Sequence, residues 1–301
     1  MTSESSHLPF NFCGLERPLS DYDDARFVVL PVPFEGTVSY QKGTARGPDA
    51  LIDASRNLET YDEMLGFEVA SLGIHTMEAV TETDSVETML AEVHRIAADV
   101  LADKKLLVTV GGEHSISSAP ARAAKEVFDD LSVLQLDAHA DLRDAYDGTP
   151  WSHACVMRRC LEFAPVTQVG IRSLSAGEAA LLKTEPHVTT FFAHEVRAAG
   201  LRPMHDEILS TLTDEVYLTI DIDVFDPSCV PGTGTPEPGG LFWDEVVGFL
   251  RALTREKQVV AFDLTELMPL PGNAASDFLA AKLVYRTMGL IAEAARWIGT
   301  T

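Results

Sequence analysis

The chain has 301 residues, with 23 Lys and Arg against 46 Asp and Glu, a formal charge of −23, and 46% hydrophobic residues. That composition supports a sizeable core and excludes a disordered tail. The charge opposes non-specific attraction to nucleic-acid phosphates or an anionic lipid surface and suits a small cationic partner better.

Short apolar, β-branched runs recur along the chain at Arg26 to Pro31, Glu68 to Leu72, Leu106 to Val110, Ser132 to Leu136, Val166 to Ile171, Val188 to Phe192, Val216 to Ile220 and Val259 to Phe262. Most are continuous rather than alternating, the pattern of parallel strands buried on both faces. Between them lie helical patterns. Ser85 to Ala102 carries Val86, Met89, Leu90, Val93, Ile96, Val100 and Leu101 at spacings of three and four, and Trp243 to Leu253 and Ala274 to Trp297 read similarly. No linker, composition shift or internal repeat divides the chain, so one domain over 1–301 is expected. Alternating strands and helices at this density predict an α/β fold, either an open eight-stranded sheet with helices on both faces or a closed barrel.

No apolar run approaches the roughly 18 residues of a membrane helix. Met1 to Phe10 lacks a basic stretch followed by an apolar one, so no secretion signal is expected. Cys13, Cys155, Cys160 and Cys229 form no CxxC pair and are too few for a disulfide framework, which reads as free thiols in a reducing cytoplasm.

Polar residues collect where strands end. The run ending at Val110 continues into Gly111-Gly112-Glu113-His114-Ser115, and that ending at Leu136 into Asp137-Ala138-His139-Ala140-Asp141. Ile220 is followed by Asp221-Ile222-Asp223, and Phe262 by Asp263-Leu264-Thr265-Glu266. In either architecture ligands bind at the carboxyl ends of parallel strands, so the four segments should converge. Carboxylates gathered so closely need a cation. Asp137, His139 and Asp141 alternate, which in an extended strand end points all three to one side, and Asp221 and Asp223 repeat the device. With His114 they make two imidazoles and four carboxylates, too many for one tetrahedral zinc but suited to two divalent ions. Two dications about 3.5 Å apart repel by about 19 kcal/mol at an effective dielectric near 20, so bridging aspartates are required. Oxygen-rich ligation favours Mn²⁺, with Co²⁺, Ni²⁺ or Zn²⁺ able to substitute. Any one Asp at a strand end is more often a cap or turn residue. The coincidence of DxHxD, DxD and an upstream GGxH is what singles out this set.

These motifs resemble the ureohydrolase family, which includes arginase and agmatinase: GGEHS at Gly111 to Ser115, DAHAD at Asp137 to Asp141, and DIDVFDP at Asp221 to Pro227 continuing into PGTGTPEPGG. The segment Pro31-Val32-Pro33-Phe34-Glu35-Gly36-Thr37, with Ser39-Tyr40, Lys42-Gly43-Thr44 and Gly47-Pro48, is similar to the agmatinase branch. The resemblance implies a three-layer α/β/α fold with a mostly parallel eight-stranded sheet and two Mn²⁺ per subunit. It implies His114, Asp137, Asp141 and Asp221 around one metal and Asp137, His139, Asp221 and Asp223 around the other. His153 matches a mobile proton-transfer histidine, Glu266 the partner of the substrate guanidinium, and Thr235 a substrate-side threonine. Two positions depart from the pattern: Ala154 follows His153 where Gly is usual, which bears on the placement of His153, and Glu113 stands where Asp is frequent, a change expected to matter little. Family members commonly form homotrimers or homohexamers.

Two dications would depress the pKa of water enough to supply a nucleophile near neutral pH. Glu266 would orient the guanidinium, Asp141 would pass a proton to the leaving amine, and His153 would deliver another, giving urea and a primary amine. Leu142 to Ser152 offers Asp144, Tyr146 and Asp147 as anchors, or as solvated turn residues, and no obvious receptor for a carboxylate. A cationic guanidino substrate is therefore expected, agmatine or aminopropylagmatine, yielding putrescine or spermidine. The alternatives are another ureohydrolase (arginase, guanidinobutyrase or formimidoylglutamase), a one-zinc deacetylase, and a non-catalytic polyamine-binding relic of the same fold.

Overall fold

The structure, a computed structural model, describes residues 8–297. Most of the leaderless N-terminus expected over Met1 to Phe10 thus lies outside the described residues. The strands are β1 (Phe27–Val32), β2 (Tyr61–Asp62), β3 (Phe67–Glu68), β4 (Ile74–Thr76), β5 (Leu106–Gly111), β6 (Leu131–Leu136), β7 (Val166–Ile171), β8 (Val188–Phe192), β9 (Glu215–Asp221) and β10 (Gln258–Thr265). The helices are α1 (Gly47–Ser55), α2 (Val86–Ala102), α3 (Ser118–Val127), α4 (Val156–Cys160), α5 (Ala176–Leu181), α6 (Ala193–Ala199), α7 (His205–Ser210), α8 (Trp243–Glu256) and α9 (Ala275–Ala294).

Eight strands form one open sheet in the order β4-β1-β5-β10-β9-β6-β7-β8, every neighbouring pair parallel, so the open alternative holds and the barrel does not. The continuous apolar runs follow from period-two alternation between two buried faces. In β1, Phe27 and Val29 join one core with α1, α8 and α9, whereas Val28, Leu30 and Val32 join the other with α2, α3 and α4. Helix α2 begins where expected because Ser85 accepts the Thr88 amide and Thr88 returns a bond to the Ser85 amide. Among the described residues no helix is long and apolar enough to cross a membrane, and all four cysteines are unpaired.

One expected strand is displaced. Glu68 belongs to a small antiparallel hairpin with β2, Val69–Leu72 forms a tight helical turn, and the sheet's edge strand is β4 instead. Val69 and Ala70 are buried by packing rather than pairing, and the Ala70 amide donates to the Tyr285 hydroxyl of α9 (3.0 Å). Gly73, at φ +76, turns the chain back beside β1, where an added Cβ would lie 2.8 Å from the Ala25 Cα.

The order places β5, β10, β9 and β6 side by side in the middle of the sheet. Their ends are level: Val110 pairs with Leu264, Thr265 with Asp221, and Leu136 with Ile220. The four strands whose termini carry the acidic and histidine motifs therefore open onto one crevice.

Candidate active site

His114, just beyond β5, is buried, and its Nδ1 lies 3.0 Å from Asp137 Oδ2, 3.1 Å from Asp141 Oδ2 and 3.4 Å from Asp221 Oδ2. His139 Nδ1 lies 2.8 Å from Asp223 Oδ2 and 3.7 Å from Asp137 Oδ1. Two groups that could hold a metal ion result, His114-Asp137-Asp141 and Asp137-His139-Asp223, with Asp137 common to both. Asp221 stands beside the first through Oδ2, while its Oδ1 accepts the Asp223 amide (2.8 Å).

The expected one-sided alternation of Asp137, His139 and Asp141 is not what positions them. Strand β6 stops at Leu136, and Asp141 takes a left-handed φ of 52°, so the three side chains divide between two foci. A straight strand end would have sent Asp141 toward His139 instead of His114.

The donor chemistry fits cations. His114 Nε2 is 2.8 Å from Thr219 Oγ1, and the Thr219 hydroxyl donates to Asp263 Oδ1 (2.6 Å), so it accepts the Nε2 hydrogen. As a metal ligand His114 would be neutral and turn its Nδ1 lone pair toward the three carboxylates; Nδ1, like Asp223 Oδ2, is buried without a hydrogen-bond partner. Several acceptors facing one another with no donor between them call for a positive ion. The electrostatics agree. Burial opposes the His114 imidazolium, yet contacts with Asp137, Asp141 and Asp221 raise its pKa well above the usual histidine value, and His139 is raised likewise against burial by Asp223 and Asp137. Burial, reinforced by neighbouring carboxylates, pushes Asp221 well up and Asp141 to about 6. Burial also acts on Asp137, but His114 and His139 hold it below the ordinary carboxylate range.

Glu266 follows β10 at φ +63, an uncommon backbone state for a non-glycine residue, and its amide donates to Gly112 O (2.7 Å). Burial first, then the charge of Glu113, raises it to about 8. His153 lies in a short helical turn, His153–Cys155, and Ala154 there is not among the residues with positive φ, so the missing glycine imposes no strain. Burial and the neighbouring His114 and His139 lower His153 to about 4. A cavity of about 200 Å³ brings together His114, His139, Asp141, His153, Asp221, Thr235 and Glu266.

The loop after DAHAD differs from expectation. Asp144 is exposed and held by Arg159 (2.9 Å), and Asp147 is an exposed turn residue at φ +48, so neither lines the cavity. Tyr146 does, with its ring 6.0 Å from that of His153 and the Arg143 guanidinium 4.8 Å from its centroid. Arg143 and Glu178 also line the cavity, 3.8 Å apart, so this part of the wall is mixed in charge rather than acidic.

Residues 25–289 match the model of the arginase family. The chain is 41% identical over 286 residues to the N(1)-aminopropylagmatine ureohydrolase of Synechocystis sp., covering 92% of this chain and 93% of that protein. It is 34% identical to the agmatinase of Pyrococcus horikoshii, covering 93% and 96%. The crystal structure of agmatine ureohydrolase of Thermoplasma volcanium superposes with a TM-score of 0.86 at 30% identity, covering 96% and 97%.

The chain belongs to the arginase family. Its fold is that of its structural neighbours, a three-layer α/β/α arrangement around a parallel eight-stranded sheet. Several residues that shape this arginase-family site were missed in the motifs. Gln135 Nε2 donates to Asp137 Oδ2 (2.6 Å), and Thr219 and Asp263 fix His114 as described. Gln135 and Thr219 are polar residues inside otherwise apolar strand runs, and a buried polar side chain must find a partner, which is a readable signal; Asp263 stands in the polar segment already read after Phe262, and only its role was missed. Glu113, expected to matter little, is fully buried: its Oε2 accepts the Thr37 amide (2.6 Å), and its Oε1 accepts the Thr37 and Ser115 hydroxyls (2.6 Å each). Burial raises its pKa, against those hydrogen bonds.

Proposed function

We propose that this chain hydrolyses the guanidinium group of an agmatine-type amine, N1-aminopropylagmatine first and agmatine second, to urea and a polyamine. The observation that carries the reading is the meeting of Glu266 with the two His/Asp groups in one cavity, in a chain 41% identical to a protein named for aminopropylagmatine hydrolysis. His114, Asp137, Asp141 and Asp221 would hold one cation and Asp137, His139, Asp221 and Asp223 the other, with Mn²⁺ favoured by the oxygen-rich set. When bound, such a pair supplies an activated water near neutral pH.

The chain's own groups do the rest. Glu266 pairs with the guanidinium, and a cation beside it restores the charge that burial opposes. Asp141, at the mouth of the first group, passes a proton to the departing amine, and His153 exchanges another with solvent. Thr235 contributes a hydroxyl to the substrate side. The unit extends over 1–301, works in the cytoplasm and assembles as a homotrimer or homohexamer, which light scattering on the purified protein would read directly.

A second reading rests on Arg143, a cation in the cavity wall able to receive a carboxylate. It favours guanidinobutyrate. Urea release from Mn²⁺-loaded protein should be measured with aminopropylagmatine, agmatine, arginine and guanidinobutyrate. The two amines should give the highest kcat/KM, and a preference for guanidinobutyrate or arginine would transfer the assignment to an acidic substrate.

A further inference from the structure

The loop between β1 and α1 lines the cavity through Val38, Ser39, Tyr40 and Gln41, and immediately before them Thr37 meets His153 with a hydroxyl that is fully committed. Thr37 Oγ1 donates to Glu113 Oε1 (2.6 Å), so toward any other group it can only accept. It lies 3.0 Å from the His153 amide nitrogen, which donates to it, and 3.2 Å from His153 Nδ1. The Thr37 amide is itself anchored on Glu113 Oε2, so main chain and side chain are pinned to the same buried carboxylate. Ser152 Oγ, 3.3 Å from Nδ1, can donate or accept and so imposes no choice on the ring. The edge contact with Tyr146 limits its tilt.

An acceptor held against Nδ1 requires a hydrogen on Nδ1. We propose that Thr37 is a positioning residue that fixes the tautomer of His153, with the hydrogen on Nδ1 and Nε2 left as the nitrogen that takes up and releases protons. Glu113 is the anchor that removes the alternative, because a free threonine hydroxyl could instead donate to Nδ1 and invert the tautomer. The two oxygens of the one Glu113 carboxylate hold the amide and the hydroxyl of Thr37 together. This inference rests on the reading of His153 as the proton-exchanging group.

Thr37→Val keeps the shape and the amide anchor but removes the hydroxyl, and Thr37→Ser keeps the hydroxyl. Both, with His153→Phe and the Thr37→Val/His153→Phe double variant, should be compared as Mn²⁺-loaded enzymes. Thr37→Val should lower kcat roughly tenfold with KM and metal content little changed, Thr37→Ser should return to within about twofold, and Thr37→Val should add no further loss to His153→Phe. In ¹⁵N spectra of the Mg²⁺-loaded protein, the His153 resonances, identified by their absence in His153→Phe, should show the hydrogen on Nδ1 in the wild type and a shifted distribution in Thr37→Val. A wild-type kcat in Thr37→Val, equal impairment of Thr37→Ser, a full additional loss in the double variant, or an Nε2 hydrogen in the wild type would each overturn the proposal. Full turnover by His153→Phe would instead remove the role of His153 on which it stands, and the proposal with it.

Discussion

Glu266 Oε1 accepts the main-chain N–H of His114 at 2.7 Å, tying the carboxylate beyond β10 to the main chain that carries His114 beyond the neighbouring strand β5. The bond occupies one oxygen and aims the other toward the cavity wall at Gly234, 3.8 Å from where a Cβ would sit on that glycine. The residue proposed to receive the guanidinium is therefore set by the same segment that carries a proposed metal ligand.

That bond makes Glu266→Gln a clean test. The amide oxygen can still accept from His114, so the loop and the metal content should be preserved, while the other position becomes an NH₂ that faces the guanidinium with like polarity. Loss of a charge-assisted contact of this kind lowers kcat/KM by at least about 100-fold. Urea release at more than a tenth of the wild-type rate would show that the guanidinium binds elsewhere.

Asp137 belongs to both candidate metal groups, through Oδ2 toward His114 and Oδ1 toward His139. Asp137→Ala should empty both positions, and metal counting should fall from two Mn²⁺ per chain to fewer than one, with nearly all turnover lost. Asp223→Ala touches only the second group and should lose one ion. If Asp137→Ala and Asp223→Ala lose the same number, Asp137 is not shared.

His153 lines the cavity without joining either metal group. His153→Phe should keep both metals and slow turnover by roughly 100- to 10,000-fold, since a positioned proton-transfer group contributes on that order. Depleted metal in that variant would make His153 part of the metal framework rather than a proton carrier.

The fold was legible because its central strands are buried on both faces and read as unbroken apolar runs, and the motifs sat at their ends. Where the reading departed, local backbone chemistry decided. Val69 and Ala70 look like strand residues because burial alone selects them, and the positive φ of Gly73 moves the true edge strand to Ile74–Thr76. The division of Asp137, His139 and Asp141 between two foci depends on the left-handed turn at Asp141, which no period-two pattern encodes. Asp144 and Asp147 were ambiguous because a carboxylate in a loop serves a turn and a ligand equally well, and the pairing of Asp144 with Arg158 and Arg159 lies one helix further along the chain. Thr37 and Glu113 are separated by 76 positions, and only the adjacency of β1 and β5 brings them together.

The metal-free protein should become less stable as pH rises from about 7 to about 8. Glu266 has its pKa raised from 4.5 to about 8 by burial, and Asp221 is raised further than an ordinary carboxylate, so in this window the folded chain holds protons that the unfolded chain has released. His114 and His139, raised above 6.5, act with the same sign. Their stabilisation is complete below the unfolded values and is lost as pH climbs through the folded ones. Asp137, shifted down, and His153, lowered to about 4, oppose this only at lower pH, where their own protons exchange. Each fully titrating group changes the unfolding free energy by about 1.4 kcal/mol per pH unit. Divalent cations compete with those protons, so the gain in Tm on adding Mn²⁺ should widen over the same interval. Thermal melts with chelator and with excess Mn²⁺ at both pH values decide the matter: a metal-free Tm that rises with pH, or a Mn²⁺ increment that shrinks, would mean that the cluster does not bind protons and cations at the same atoms.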